Sequence, residues 1–198
     1  MLLVVDNGST TLPELEEALQ KLRVNYTVIR YDQPIRVDEY RGVILSGRNT
    51  ASDEINRANI KVIKQATQQQ KPLLGICYGA EILALANGGA LTRLREKVYG
   101  YNSVYVKKVN PLTETKRTLK VYESHIFNIS RLPTSFESLA YSKDCENEII
   151  AHRELSLYGL QFHPECSGDD GLQILANFLK FLNQCDSTTT VNGLLDTS

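Results

Sequence analysis

The chain has 198 residues, 42% of them hydrophobic, enough for one domain with a full core and too few for several. Its 22 basic and 23 acidic side chains leave a formal net charge of -1, which gives no electrostatic basis for binding nucleic acid or a membrane surface. Met1-Leu2-Leu3-Val4-Val5-Asp6 is too short and lacks the basic flank of a signal peptide, and no later run is long enough to span a bilayer, so a soluble cytoplasmic protein is expected.

In chain order, Leu2 to Val5 reads as a buried strand running into the turn Asp6-Asn7-Gly8. Thr11-Leu12-Pro13-Glu14 has the form of a capping box, and Leu12, Leu15, Leu19 and Leu22 then share one helical face. A strand from Asn25 to Arg30 follows, and Gly42-Val43-Ile44-Leu45 is a further buried run ending in Ser46-Gly47-Arg48-Asn49. From Ser52 to Gln70 the pattern is helical, with Ile55, Asn59, Val62, Ile63 and Ala66 forming the stripe. Alternation of strand and helix predicts an α/β fold with a parallel sheet.

Next comes Pro72-Leu73-Leu74-Gly75-Ile76-Cys77-Tyr78-Gly79, followed by an apolar helix to Ala86. The run Leu73 to Ile76 has no polar face, as a central parallel strand requires, and Cys77 stands at its C-terminal tip. Glycines two positions either side of Cys77 have the spacing of a nucleophile elbow, a turn so sharp that flanking side chains would collide. The sulfur would then lie over the first free amides of a helix, where partial positive charge favours thiolate. On this stretch alone, a buried structural cysteine in an ordinary strand-to-helix turn is an equally open reading.

After Gly88-Gly89 the pattern changes. Tyr99 to Lys108, Leu119 to Ser124 and Phe136 to Ser142 read as short extended segments decorating one edge of the sheet, partly antiparallel. Ser156 to Phe162 returns as a core strand, and Leu172, Leu175, Ala176, Leu179 and Leu182 mark a closing amphipathic helix. The expected organisation is one domain over residues 1–185 and a Ser/Thr/Asp-rich flexible tail over 186–198.

The returning strand ends in Phe162-His163-Pro164-Glu165. Proline holds His163 extended, so its ring and the Glu165 carboxylate fall on one side, where the acid can fix the imidazole tautomer. Strand ends of an open parallel sheet share one edge, so Cys77 and His163 are expected to meet there. The four cysteines and three histidines show no C-x-x-C pair and no ligand spacing. No metal site and no cofactor are expected, and Cys145, Cys166 and Cys185 read as inert thiols. His152 reads as a core or edge position of a strand.

Gly75-Ile76-Cys77-Tyr78-Gly79 together with Tyr158-Gly159-Leu160-Gln161-Phe162-His163-Pro164-Glu165 resembles the class I (triad) glutamine amidotransferase family, over nearly the whole chain to Cys185. Asp6-Asn7-Gly8, Ile44-Leu45-Ser46-Gly47, Glu123-Ser124-His125 and Arg131-Leu132-Pro133 resemble its branch of free-standing glutaminase subunits from archaeal-type two-subunit GMP synthases.

The resemblance implies an open, mostly parallel, twisted, flavodoxin-like sheet flanked by helices, with extra partly antiparallel edge strands. It implies Cys77 as nucleophile toward glutamine, His163 as proton shuttle and Glu165 as its orienting acid. Backbone amides of Tyr78 and of the Gly47-Arg48 loop would form the oxyanion hole. Glu81, Tyr99, Gly100, Ser124 and His125 would bind substrate. Ammonia would pass to an ATP-pyrophosphatase partner subunit that converts XMP to GMP; the chain has no P-loop of its own.

Two departures stand out. The family's Ser-Gly-Gly-Pro is here Ser46-Gly47-Arg48-Asn49, and its Gly-His-Gln is Gly79-Ala80-Glu81. Arg48 reads by default as a solvated loop cation, or else as a cation near Cys77 that pairs with Glu81 or a substrate carboxylate. Glu81 accepts hydrogen bonds but donates none while ionised. These changes keep two alternatives open: a hydrolase of another γ-glutamyl compound, or a regulatory module with little turnover.

Overall fold

The structure, a computed structural model, describes residues 1–186. Nine strands form one sheet in the order β2-β1-β3-β4-β9-β8-β7-β5-β6. The first five of that order, β1 (Leu2–Asp6), β2 (Tyr26–Arg30), β3 (Gly42–Leu45), β4 (Leu73–Ile76) and β9 (Leu157–Leu160), pair in parallel. The rest, β5 (Ala90–Val106), β6 (Thr118–Arg131), β7 (Phe136–Tyr141) and β8 (Ile149–His152), extend the β9 side in antiparallel pairing. The expected architecture, a parallel sheet with antiparallel edge strands, is the one observed.

Helices cover both faces because β1, β3, β4 and β9 are apolar on both sides. On one face α1 (Leu12–Lys21) and α4 (Gly168–Lys180) pack Leu15, Leu19, Ile174, Leu175 and Phe178 against Leu2, Val4, Ile44, Leu74 and Ile76. On the other, α2 (Asp53–Gln68) and α3 (Tyr78–Ala86) pack Ile55, Val62, Ile63, Ile82 and Leu83 against Leu3, Val5, Val43, Leu45 and Leu73. The buried residues of α2 are the five of the predicted stripe, Asn59 included. Asn59 exchanges side-chain hydrogen bonds with Asn7, and Asn7 also binds Ser46 through its backbone N–H and its side-chain amide. This buried amide network ties the turns after β1 and β3 to α2.

Several expectations need correction. β5 and β6 are long strands of 17 and 14 residues, where short segments were expected. Their register breaks between Arg93 and Val98, so the exposed charged run Arg93 to Lys97 hides the continuity of β5. On α4 the buried positions are Gly171, Ile174, Leu175, Asn177 and Phe178, whereas Leu172, Ala176 and Leu179 are only partly buried. Ser52 caps α2 by accepting the Glu54 N–H, but Thr11 makes no side-chain cap on α1. The tail expected over 186–198 lies outside the described residues, apart from Asp186, which ends a 3-10 turn (Phe181–Asp186).

Candidate active site

β4 and β9 are adjacent, parallel and in register, with Gly75 opposite Gly159 and Ile76 opposite Leu160. Their C-terminal tips therefore leave the sheet side by side, and the Cys77 N–H donates to the Leu160 carbonyl at 2.7 Å. Cys77 itself has φ 51°, ψ -106°, in a region L-residues rarely occupy. The flanking glycines make this turn possible. A Cβ at Gly75 would fall on the Gly79 carbonyl, and a Cβ at Gly79 on the Leu45 carbonyl. The elbow is thus packed backbone to backbone against β3, and Cys77 is lifted to the mouth of α3, whose first amides have no partner within the helix.

His163 follows β9, with its N–H donating to Tyr122 on β6 at 2.8 Å and its carbonyl accepting from the Ser167 hydroxyl at 2.5 Å. Its Nδ1 lies 2.8 Å from Oε1 of Glu165, and both side chains are buried. Burial by itself would lower the His163 pKa. The Cys77 sulfur and the Glu165 carboxylate outweigh burial and raise the pKa to about 10. Gly47 closes the site from β3: a Cβ there would sit 3.2 Å from His163 Cε1 and 3.8 Å from the Cys77 Cβ. The expected meeting of Cys77, His163, Glu165 and the Gly47 loop at one sheet edge is what the structure contains.

The Thr11 hydroxyl donates to Glu165 Oε1 at 2.6 Å and lies 3.3 Å from His163 Nδ1. The threonine that resembles a helix cap therefore serves the imidazole–carboxylate pair. No local pattern distinguishes the two uses, since both need a hydroxyl at the start of α1.

Arg48 is half-buried and lines the cavity beside Cys77 and Glu81, as the second reading expected, with its charge acting on Glu81. Its guanidinium stacks 3.9 Å from the Tyr78 ring centroid and donates to Asn56 Oδ1 at 2.9 Å. The Tyr78 hydroxyl reaches the same Asn56 oxygen at 2.9 Å. Arg48, Tyr78 and Asn56 thereby clamp the loop after β3 to the start of α3, which holds the two backbone segments expected to supply oxyanion donors.

A cavity of about 170 Å³ opens beside Cys77, lined by Arg48, Tyr78, Glu81, Ser124 and His125 among others. It is below the roughly 300 Å³ at which pockets for drug-sized ligands begin, and it suits one small polar molecule. Glu81 is buried in its wall; burial raises its pKa, partly countered by a hydrogen bond from Gln161 Nε2 at 3.2 Å and by the neighbouring His125 and Arg48. Gln161 was not among the expected site residues, although it lies within the strand-end motif.

Tyr99 and Gly100 do not line this cavity. Tyr99 is 67% exposed, stacks edge-on against Tyr122 and borders a larger depression of about 460 Å³ formed with Leu94, Lys97 and Asp144, which Cys77 does not line. Gly100 pairs with Glu123 and has φ 94°, a conformation glycine adopts freely. His152 is structural: its Nδ1 accepts the backbone N–H groups of Glu154 and Leu155. Beside the cavity, Glu123, His125 and Glu148 come together, a grouping of ligand-type atoms that the spacing along the chain did not disclose.

An α/β sheet with a cysteine elbow at positive φ on one strand tip and an imidazole–carboxylate pair at the next has the architecture of the amidotransferase type. The chain belongs to the glutamine amidotransferase class-I family, whose model matches residues 3–181. It is 33% identical over 186 residues to the glutamine-hydrolyzing GMP synthase subunit of Methanococcus aeolicus, covering 91% of this chain and 96% of the relative. The corresponding subunit of Methanocaldococcus jannaschii matches with the same identity and coverage. Among solved structures, a candidate GMP synthase subunit from Thermoplasma acidophilum superposes with a TM-score of 0.84 at 28% identity, over 94% of this chain and 95% of that one.

Proposed function

We propose that this protein is the glutaminase subunit of a two-subunit GMP synthase, releasing ammonia from glutamine at Cys77 and delivering it to an ATP-pyrophosphatase subunit that aminates XMP. The observation that carries the reading is Cys77 at positive φ over the start of α3, electrostatically coupled to a His163 that Glu165 and Thr11 hold in place. The names of its relatives support the GMP branch. No helix among the described residues is long and apolar enough to cross a membrane. We place the working domain within residues 1–185.

The Cys77 thiolate attacks the γ-carboxamide carbon, and the oxyanion takes hydrogen bonds from the backbone amides of Tyr78 and the Gly47-Arg48 loop. Such a donor is typically worth about 2.7–4 kcal/mol in the transition state. The His163 imidazolium gives its proton to the departing nitrogen as the C–N bond breaks, leaving ammonia and a γ-glutamyl thioester. Neutral His163 then takes a proton from water as it attacks the thioester, and glutamate leaves with the thiolate restored. Glu81, whose pKa burial raises and which accepts from Gln161 Nε2, stands in the cavity wall at the position of the family's glutamine and offers its carboxyl to the substrate. Ser124 and His125 form the opposite wall.

The test is glutamine hydrolysis with mass spectrometry of the protein after exposure to the glutamine analogue 6-diazo-5-oxo-norleucine. A single adduct on Cys77 and loss of turnover in Cys77→Ala are expected. Hydrolysis surviving in Cys77→Ala would sink the covalent mechanism, and turnover of other γ-glutamyl compounds in preference to glutamine would reassign the substrate.

A further inference from the structure

The proposed hydrolysis leaves a second buried cluster unused. Glu123 and His125 stand two apart on β6 and so face one side of the sheet, and Glu148, immediately before β8, meets them there. One ligand-type atom from each residue lies within 4.8 Å of the others. His125 Nδ1 is 2.7 Å from the Phe127 carbonyl, which only accepts, so the ring proton is on Nδ1. Nε2 therefore turns inward, 3.6 Å from Glu123 Oε2.

Among the described residues, His125 Nε2, Glu123 Oε1 and both Glu148 oxygens have no hydrogen-bond partner. The His125 side chain is 1% exposed, and Glu123 and Glu148 are each 0% exposed. Asn102 Nδ2 donates to Glu123 Oε2 at 3.3 Å, while Ser142 and Cys145 flank Glu148 without a hydrogen bond of good geometry. Burial and the neighbouring Glu123 raise the Glu148 pKa well above the ordinary carboxyl range, and two buried carboxyls with open oxygens beside an inward imidazole nitrogen are costly to leave so.

A divalent cation removes that cost, since its charge balances both carboxylates and it takes up the idle lone pairs. The hydrogen bond behind the imidazole is the usual support of a metal-bound histidine. The 3.6 Å between Nε2 and Oε2 is close to the edge, about 3.4 Å, of a tetrahedron with bonds of about 2.1 Å. One nitrogen and two carboxylates, with a position left open, form a donor set suited to Zn²⁺ and also acceptable to Mn²⁺. We propose that Glu123, His125 and Glu148 bind a divalent ion of the zinc class beside the glutamine cavity. His125 belongs to both sites, so the ion would stiffen the wall formed by Ser124 to Phe127.

The experiment uses the full chain carrying Cys77→Ala, so that the active-site thiol contributes no ligand. After chelation and desalting, Zn²⁺ and, separately, Mn²⁺ are titrated by calorimetry, with elemental analysis for stoichiometry and thermal unfolding as a second readout. One equivalent of Zn²⁺ and a melting temperature that climbs with its concentration are expected. Glu148→Gln and Glu123→Gln keep shape and remove ligand charge, so each should stay folded and weaken binding by at least about tenfold. Substoichiometric binding of both ions, or unchanged affinity in both variants, which would assign the ion to other thiols or imidazoles, overturns the proposal.

Discussion

At the scale of single residues, burial decides what Glu81 and Arg48 do. A carboxylate at position 81 looks like a loss of hydrogen-bond donors, yet the cavity wall desolvates it and raises its pKa. The sign follows: at a pH where an exposed carboxyl is ionised, Glu81 still carries its proton and donates, and it loses that donor as pH rises through its elevated pKa. The KM for glutamine in the wild type should therefore increase as pH rises above the ordinary carboxyl range and through that raised pKa, by roughly three- to tenfold for one hydrogen bond lost. In Glu81→Gln, whose amide does not titrate, KM should stay low over the same range. KM measured against pH for both proteins decides it, and parallel profiles would exclude Glu81 as a substrate ligand. Arg48 shows the same lesson from the other side, because a half-buried cation in a glycine-poor loop also engages an aromatic face and an amide oxygen.

At the scale of elements, the strand β4, the elbow and α3 behave as one part, because the backbone of the elbow touches the backbone of β3. Gly79→Ala would drive a methyl group into the Leu45 carbonyl, a contact that no side-chain rotation relieves. Overpacking of this kind costs about 1–3 kcal/mol. For a chain of this size that corresponds to a melting temperature lower by roughly 2–12 °C. Because the displaced segment carries Cys77, turnover should fall even at temperatures where the variant is folded. Thermal unfolding with steady-state kinetics on the same sample checks both; a variant of unchanged activity would mean that the elbow tolerates movement.

At the scale of the whole molecule, the site lies where the parallel half of the sheet meets the antiparallel half. β4 and β9 supply Cys77 and His163, whereas β6 supplies Tyr122, Ser124 and His125 from the far edge. The proposed partner would thus act on a cavity whose two walls belong to different halves of one sheet. Glutamine hydrolysis by the isolated protein should be slow, and it should rise severalfold when the synthetase subunit is added with XMP and ATP. Equal rates with and without that subunit, measured at saturating glutamine, would argue against gating by the partner and for a self-sufficient hydrolase.

How much was legible beforehand depended on the range over which the signal is written. The parallel strands, the α2 stripe and the elbow are local: apolar period, chain reversal and paired glycines act within a few residues, and each was readable from the sequence, as was the pairing of His163 with Glu165 two positions away. Thr11 at the acid, Arg48 on Tyr78, the full length of β5 and the cluster of Glu123, His125 and Glu148 were not. Each depends on which distant strand or loop lies alongside, and side-chain chemistry there is set by burial and by neighbours far away in the chain. The sequence by itself determined the fold class and the reactive elbow, because steric and solvation preferences of short segments dictate them. Only the tertiary structure decided burial, clamping and which side chains cluster, because those energies exist only when remote groups are brought together out of water.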